Sequence, residues 1–230
     1  MIQRITSVLL RLTGRKTVLD SQIPSGLLAT FMLARGGELL RGVLRTRRLV
    51  LLGPGVRLRG RGRITFGRFI SIGPECAIDG YGSAGTRLAD GSRLGRGCVV
   101  TVTSHLSRLG KGFSLGANSG LGDYCHIGAS GGITVGRDVI MGPFVSLHSQ
   151  EHNFDRLDTP IRHQGTTEVG IAIEDDVWVG ARVTILDGTK IGQGSVVAAG
   201  AVVKGVFPPN SVIAGIPARV IRSRDVGNAR

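Results

Sequence analysis

The sequence predicts an all-β fold, a parallel β-helix of hexapeptide repeats, and three observations carry that prediction. From Ile173 an aliphatic residue returns every sixth position: Ile173, Val179, Ile185, Ile191, Val197 and Val203. A helix requires apolar residues every three or four positions and an ordinary strand every two. A period of six suits a short strand and a tight turn, stacked so that each aliphatic side chain meets its counterpart in the next coil. The neighbouring positions repeat as well, with a small or acidic residue next (Glu174, Gly180, Gly192, Ala198) and a small or β-branched one four places on (Val177, Val183, Thr189, Ser195, Ala201). Finally, 37 of the 230 residues are glycine, about twice the usual ~7%, as repeated tight corners demand.

Residues 1–50 form a non-repeating arm. Ile2, Ile5, Val8, Leu9 and Leu12 follow helical spacing, with Arg4, Arg11, Arg15 and Lys16 interleaved. Ser21 and Pro24 mark a second helix start, followed by Leu27, Leu28, Phe31, Met32 and Leu33, then Leu39, Leu40, Val43 and Leu44. The apolar stretch Leu27–Ala34 is far shorter than the ~18–20 residues a bilayer span needs. With no A-x-A-like site after a compact apolar core, no signal peptide is expected. Residues 51–207 carry the hexads, whose earlier runs are Phe66, Ile72, Ile78; then Leu88, Leu94, Val100, Leu106; then Leu109, Leu115, Leu121, Ile127, Ile133; then, after a two-residue slip, Val135, Met141, Leu147. The loop 148–170 interrupts them, and residues 208–230 form a tail.

The net charge of +13 is concentrated at one end. Residues 1–63 hold thirteen arginines and lysines against Asp20 and Glu38, a balance of +11, which leaves +2 for the other 167 residues. Two readings of the arm stand. Its helices cap the open end of the solenoid, as any solenoid requires, or they bind an anionic membrane surface at roughly 1 kcal/mol per well-placed basic residue. The runs Arg41–Arg48 and Arg57, Arg59, Arg61, Arg63 exceed the needs of a cap. With Phe31 its single aromatic and no recognition motif, the arm is not expected to bind nucleic acid. The three cysteines, Cys76, Cys98 and Cys125, each follow a hexad aliphatic by four residues, where the repeat places small inward side chains. Their odd number and the lack of a C-x-x-C argue against a disulfide framework or a thiolate zinc site and for a reducing, cytoplasmic setting. As buried thiols they act as small hydrophobes.

Three of the five histidines, His148, His152 and His163, lie in the loop that breaks the repeat. A long excursion from a rigid scaffold is a usual place for function. Histidine is the side chain best suited to take a proton from an alcohol near neutral pH. The plainer alternative is a solvated loop whose histidines do nothing.

The hexads resemble those of the hexapeptide-repeat (left-handed β-helix) acyltransferases. The stretch from Leu147 onward is similar to their maltose/galactoside, xenobiotic and polysaccharide O-acetyltransferase branch, on Glu151-His-Asn-Phe, Pro160-Ile-x-x-Gln-Gly165, Asp175-Asp-Val-Trp-Val-Gly-Ala181, Val197-Ala-Ala-Gly-Ala-Val-Val203 and Ala214-Gly-Ile-Pro-Ala-Arg219. The resemblance implies a left-handed coil and a homotrimer. It implies acetyl-CoA as co-substrate in the groove between subunits, without a required metal, and direct transfer to an acceptor hydroxyl. It carries the catalytic base to His152 and the cofactor contacts to Ala181, Ala199, Lys204, Gly205, Arg219 and Arg222, with Trp178 lining the groove or packing. The physical chemistry agrees: small residues let a pantetheine arm lie close, and Lys204, Arg219 and Arg222 suit phosphates.

The branch's acceptor-orienting asparagine is missing; Gly122-Asp-Tyr-Cys-His-Ile127 offers Tyr124 and His126 instead, so the acceptor is not carried over. Glu151, Asp155 or a backbone carbonyl are the candidates to orient the second nitrogen of His152. A γ-type carbonic anhydrase shares the implied fold, but its H-x4-H spacing is absent, since His148 and His152 stand as H-x3-H. A non-catalytic β-helix scaffold leaves the cofactor segments unexplained. The lipid A acyltransferase and serine acetyltransferase types need helical domains that residues 212–230 and 1–50, respectively, are too short to supply. Xenobiotic (antibiotic) acetylation shares the motifs. The basic arm favours a glycan precursor handled on the inner face of the cytoplasmic membrane.

Overall fold

The computed structural model describes residues 20, 22–105 and 107–224. Within them the chain winds through successive coils whose short strands stack into sheets of nine, seven and seven strands, parallel throughout except for the last strand of the nine. The first sheet runs from Leu51–Leu52 to Ser211–Gly215, and Ala218–Ser223 folds back antiparallel on its last strand. The coils send apolar side chains inward from each sheet. Leu52, Ile72, Leu94, Leu121, Met141, Val179, Val197 and Ile213 form one buried column, and Ile78, Val100, Ile127, Leu147, Ile185 and Val203 a second. Phe66, Leu88, Leu115, Val135, Ile173, Ile191 and Phe207 form the third. Like side chains meet like at each step, for instance Ile72 against Leu94 and Ile173 against Ile191.

The third sheet explains the slips in the six-residue count. Its strands Ile64–Phe66, Gly85–Leu88, Gly112–Leu115, Ile133–Val135 and Ile171–Ile173 each turn two residues inward instead of one. That second inward residue accounts for the two-residue slip between Ile127 and Val135, whereas the steps from Ile78 to Leu88, Val100 to Leu115 and Leu147 to Ile173 also carry inserted residues, and the unbroken hexad runs from Ile173 to Val203. One expectation is corrected. Leu109 is not an inward residue; it is 56% exposed. The chain leaves the coil after Val102 and rejoins at Gly112, so the leucine falls in phase with Leu115 by accident. Leu106 lies outside the described residues.

The corner between the first and second sheets holds the cysteines. All three are free and buried, and their thiols donate to the carbonyls of Gly95, Gly122 and Gly142 at 3.0, 3.1 and 3.3 Å. Hydrogen bonding to Cys98, with burial, pushes the Cys76 thiol far above its usual range, and hydrogen bonding to Cys125 heads the causes that bring Cys98 to about 12. Both stay protonated, as small inward residues should.

Helix α1, Ser25–Thr46, closes the first coil. Gly42 is buried against it, and a Cβ there would lie 1.7 Å from the carbonyl oxygen of Val50. Arg41 Nε donates to Leu52 O at 3.0 Å, Arg45 Nη1 to Val56 O at 2.6 Å, and Arg61 Nη1 to Arg45 O. Two of the arm's arginines thus serve the cap by satisfying backbone acceptors of the first coil, and Arg61 returns the contact from the coil to the last turn of the helix. The helix expected over Ile2–Leu12 lies outside the described residues. Among the described residues no helix is long and apolar enough to cross a membrane.

Candidate active site

The interrupting loop leaves the second sheet through Ser146–His148 and returns at Ile171–Ile173. Ser149 is buried at its root, accepting from Gly131 N–H at 3.0 Å and donating to Gly128 O at 2.9 Å. Strand Glu151–His152 then pairs antiparallel with Thr166–Thr167, His152 opposite Thr166. Asn153 N–H donates to Gly165 O at 3.1 Å, and Gln164 Nε2 donates to the carbonyls of Arg156 and Thr159 at 2.7 Å each. The loop is therefore a closed, internally bonded hairpin. It presents His152 exposed, its ring making no hydrogen bond or ion pair among the described residues. His163 sits in the short 3-10 turn Ile161–His163, also exposed.

A second excursion, 103–111, braces this hairpin. Glu168, its side chain 4% exposed, takes Arg108 Nε at 3.2 Å and Gln150 Nε2 at 2.7 Å. Lys111 Nζ donates to Glu168 O at 3.2 Å, and Gln150 Nε2 also reaches Thr166 Oγ1 at 3.2 Å. The backbone N–H groups of Val169 and Gly170 close on the buried carboxylate of Asp187 at 2.8 and 2.7 Å. Sequence reasoning missed Arg108, Gln150, Glu168 and Asp187. None of the four left a local signal, since an acidic residue two places after a hexad aliphatic, as at Asp187, also occurs at Asp90, Asp123 and Asp175.

Of the acceptor candidates, His126 stands beside Ser146 on the outer face of the second sheet, and its ring stacks on His148 with centroids 5.5 Å apart. His148 Nε2 lies 3.1 Å from Ser146 Oγ. Partial burial, then the neighbouring His148, holds the His126 imidazole below the usual histidine range. Tyr124 is placed differently, at a left-handed corner (φ 57°), where it stacks on Phe144 at 5.4 Å; Arg182 lies over Phe144 at 5.7 Å. Asp155 is exposed and makes no hydrogen bond or ion pair among the described residues. Glu151, the other candidate partner of His152, points its carboxylate at Lys204 Nζ, 2.5 Å away.

The cofactor candidates fall into two groups. Ala181 and Ala199 are adjacent on successive coils, where Gly200 N–H donates to Ala181 O at 2.9 Å. The packing beneath is tight: a Cβ on Gly142 would lie 2.6 Å from Ala181 N, and one on Gly180 2.5 Å from Ala199 N. Trp178 is exposed on the first sheet in one row with Val196, Val212 and Arg222. Arg219 lies opposite Ala214 on the terminal strand pair, its Nη1 donating to Ala218 O at 2.8 Å. Lys204 and Gly205 belong instead to the end of the second sheet, with Glu151. A smooth, small-residue wall edged by arginines thus stands on one side of the prism and the histidine hairpin on another. Among the described residues no group of three or more His, Cys, Asp or Glu is arranged to hold a metal ion.

A stacked-coil scaffold bearing a histidine on an anchored hairpin defines a class, and comparison with known proteins supplies it. The family model of the bacterial transferase hexapeptide (six repeats) matches residues 170–205. WbbJ of Escherichia coli (strain K12), named for O-acetyl transfer in lipopolysaccharide biosynthesis, is 34% identical over 58% of this chain and 72% of its own length. The galactoside O-acetyltransferase of the same organism is 37% identical over 39% of this chain and 43% of its own. A Mycobacterium tuberculosis protein named as an acetyltransferase is 29% identical over 79% of this chain, which spans 52% of that relative's length. Among solved structures, AntD, an N-acyltransferase from Bacillus cereus in complex with dTDP-4-amino-4,6-dideoxyglucose and coenzyme A, superposes with a TM-score of 0.52 at 15% identity, covering 80% of this chain and 88% of that one. The likeness concerns the fold, a left-handed parallel β-helix. The chain belongs to the hexapeptide-repeat acyltransferases.

Proposed function

We propose that the protein is an acetyl-CoA-dependent O-acetyltransferase acting on a hydroxyl of a sugar in a cell-envelope glycan precursor, in the cytoplasm and as a homotrimer. The observation that carries this reading is His152, exposed and unbonded on a hairpin that is fixed at both ends. In the mechanism His152 accepts the acceptor's O–H proton as the oxygen attacks the thioester carbonyl. The tetrahedral intermediate collapses with cleavage of the C–S bond, and the imidazolium returns the proton to the leaving CoA sulfur. The thioester is already activated, so positioning, a base and stabilisation of the oxyanion suffice. Acetyl-CoA fits the wall of Ala181 and Ala199, its phosphates meeting Arg219, Arg222 and Lys204, with Trp178 along the path. In one chain that wall and the hairpin lie on different sides of the prism, and a trimer would let one subunit's wall face its neighbour's histidine.

Transfer to oxygen, and to a sugar, draws its support from the similarity to WbbJ and the galactoside enzyme. Incubation with labelled acetyl-CoA and separate pools of membrane lipids, nucleotide sugars, free glycosides, amino sugars and antibiotics tests the reading. Label is expected in a glycan or glycoside as an alkali-labile ester. Alkali-stable label in amino sugars would replace it with N-acetylation, and label in antibiotics alone with xenobiotic acetylation.

A further inference from the structure

Helix α1 carries its polarity inside out. A surface helix ordinarily buries its apolar stripe and turns its charges to water. Here Leu28 and Gly42 face the first coil together with Arg41 and Arg45, whose guanidiniums reach the carbonyls of Leu52 and Val56. Glu38 is paired with Arg35 at 2.8 Å. At about 100° per residue, Ala29, Leu33, Gly36, Leu40, Val43 and Leu44 fall on the opposite side, a strip without a single charge. Leu33, Leu40 and Leu44 are 78, 61 and 73% exposed, and Leu49 continues the strip beyond the helix at 69%. A cap uses only the inner face, so capping leaves this outer strip unexplained, and contiguous exposed apolar surface marks an interaction site.

Charge selects the occupant. Arg47 and Arg48 follow the strip directly, both exposed, with guanidiniums that make no hydrogen bond or ion pair among the described residues. Arg57 and Arg59, also exposed, stand on the first strand of the second sheet in the same condition. Over residues 1–63 the balance is +11, and Glu38, one of its two acids, is already paired. Apposing this face to a second copy would bring like charges together. An anionic bilayer answers both halves of the surface at once, the acyl boundary taking the leucines and the headgroup phosphates taking the arginines. We infer that the outward face of helix α1, with Arg47 and Arg48, is a docking surface for an anionic lipid bilayer, which seats the capped end of the solenoid against the membrane.

Vesicle flotation of the full chain tests this, with phosphatidylcholine alone and with phosphatidylcholine mixed with phosphatidylglycerol. The wild type is expected to float with the anionic vesicles, to release them as salt rises, and to ignore the neutral ones. The triple variant Leu33→Glu/Leu40→Glu/Leu44→Glu should lose at least ~10-fold in vesicle affinity. Its unfolding midpoint and acetyl transfer to a soluble acceptor should stay at wild-type values, since the three side chains face away from the coils. Arg47→Glu/Arg48→Glu should lower affinity roughly tenfold or more. Equal flotation with neutral and anionic vesicles, or undiminished flotation of the triple variant, overturns the inference. So does a triple variant that changes the assembly's mass by light scattering while vesicle binding persists, which would make the strip an interface between copies.

Discussion

Lys204 Nζ stands 2.5 Å from Glu151 Oε2, an ion pair across 53 residues that ties the strand bearing His152 to the last coils of the solenoid. Lysine and carboxylate are 57 and 30% exposed, so the pair contributes at most about 1 kcal/mol to stability. Its consequence is positional. Glu151 precedes the proposed base, and Lys204 is a proposed phosphate contact, so two anions compete for one ammonium.

That competition gives opposite signs for two substitutions. Glu151→Gln frees Lys204 for phosphate and should lower KM for acetyl-CoA about 2–5-fold, while the untied strand reduces kcat by a similar factor. Lys204→Met should also reduce kcat but raise KM for acetyl-CoA. Steady-state kinetics on both variants decides; KM moving in the same direction in both would remove the competition.

Glu168 is the anchor of the hairpin, with Arg108 and Gln150 on its nearly buried carboxylate. Glu168→Ala leaves the Gln150 amide without its closest partner and should cost roughly 1–3 kcal/mol. Arg108→Ala removes a side chain that is mostly in water and should cost under about 1 kcal/mol. Urea unfolding measures both, and a larger loss for Arg108→Ala would reverse the assignment.

The stacked pair of His126 and His148 predicts a pH dependence. Burial and the neighbouring imidazole lower the folded pKa of His126. Above about pH 6.5, the unperturbed value, both folded and unfolded forms are neutral there and no penalty exists. As pH falls through 6.5 the unfolded chain takes up the proton first, so stability declines until the folded pKa is reached. His126→Asn should flatten this decline relative to wild type between pH 7.5 and 5. Parallel stability curves for the two proteins would refute it.

Gly180 lies where the wall of the proposed cofactor groove is most tightly stacked, a Cβ falling 2.5 Å from Ala199 N and 2.8 Å from its Cα. The clash is with backbone, which cannot swing aside, so Gly180→Ala should force the coils apart and cost about 1–3 kcal/mol. Gly200→Ala is the contrast, because nothing lies within 4 Å of its Cβ position; its cost is limited to its φ of 73°, about 1 kcal/mol. Thermal denaturation of both proteins checks the order.

The coils were legible because each one repeats the same inward position, so that stacked pairs such as Ile173 and Ile191, Val179 and Val197, or Ile185 and Val203 all stand three hexads apart in sequence. The hairpin was legible because it breaks that trace. The excursion 103–111 was not, since Leu109 keeps the hexad phase of Leu115 while it lies exposed off the coil, and phase carries no information about burial. The partners of the hairpin were hidden for a related reason. Glu168 meets Arg108, and Glu151 meets Lys204, across distances in sequence that no local spacing encodes. The inverted polarity of helix α1 was written in Leu33, Leu40 and Leu44, yet which side of the helix faces the coil depends on Gly42 against Val50 O, a contact visible only once the chain is folded.

His152 carries the proposed chemistry, and its substitution is the most exposed test. His152→Ala should lower turnover by roughly 10²–10⁴-fold, the usual contribution of a positioned base. Acetyl-CoA affinity should stay near wild type, because Ala181, Ala199, Arg219 and Arg222 lie on other coils and none is bonded to the imidazole. The fold should survive, since the ring makes no hydrogen bond among the described residues and the hairpin is held by Gln150, Gln164 and Glu168. His163→Ala, at the exposed 3-10 turn, and His148→Ala, stacked on His126, are controls in the same stretch. Both should retain most of the turnover, with His148→Ala removing only the lesser, electrostatic cause of the lowered His126 pKa and leaving that of burial. A His148→Ala variant without activity beside an active His152→Ala would move the base to the stacked pair on the second sheet.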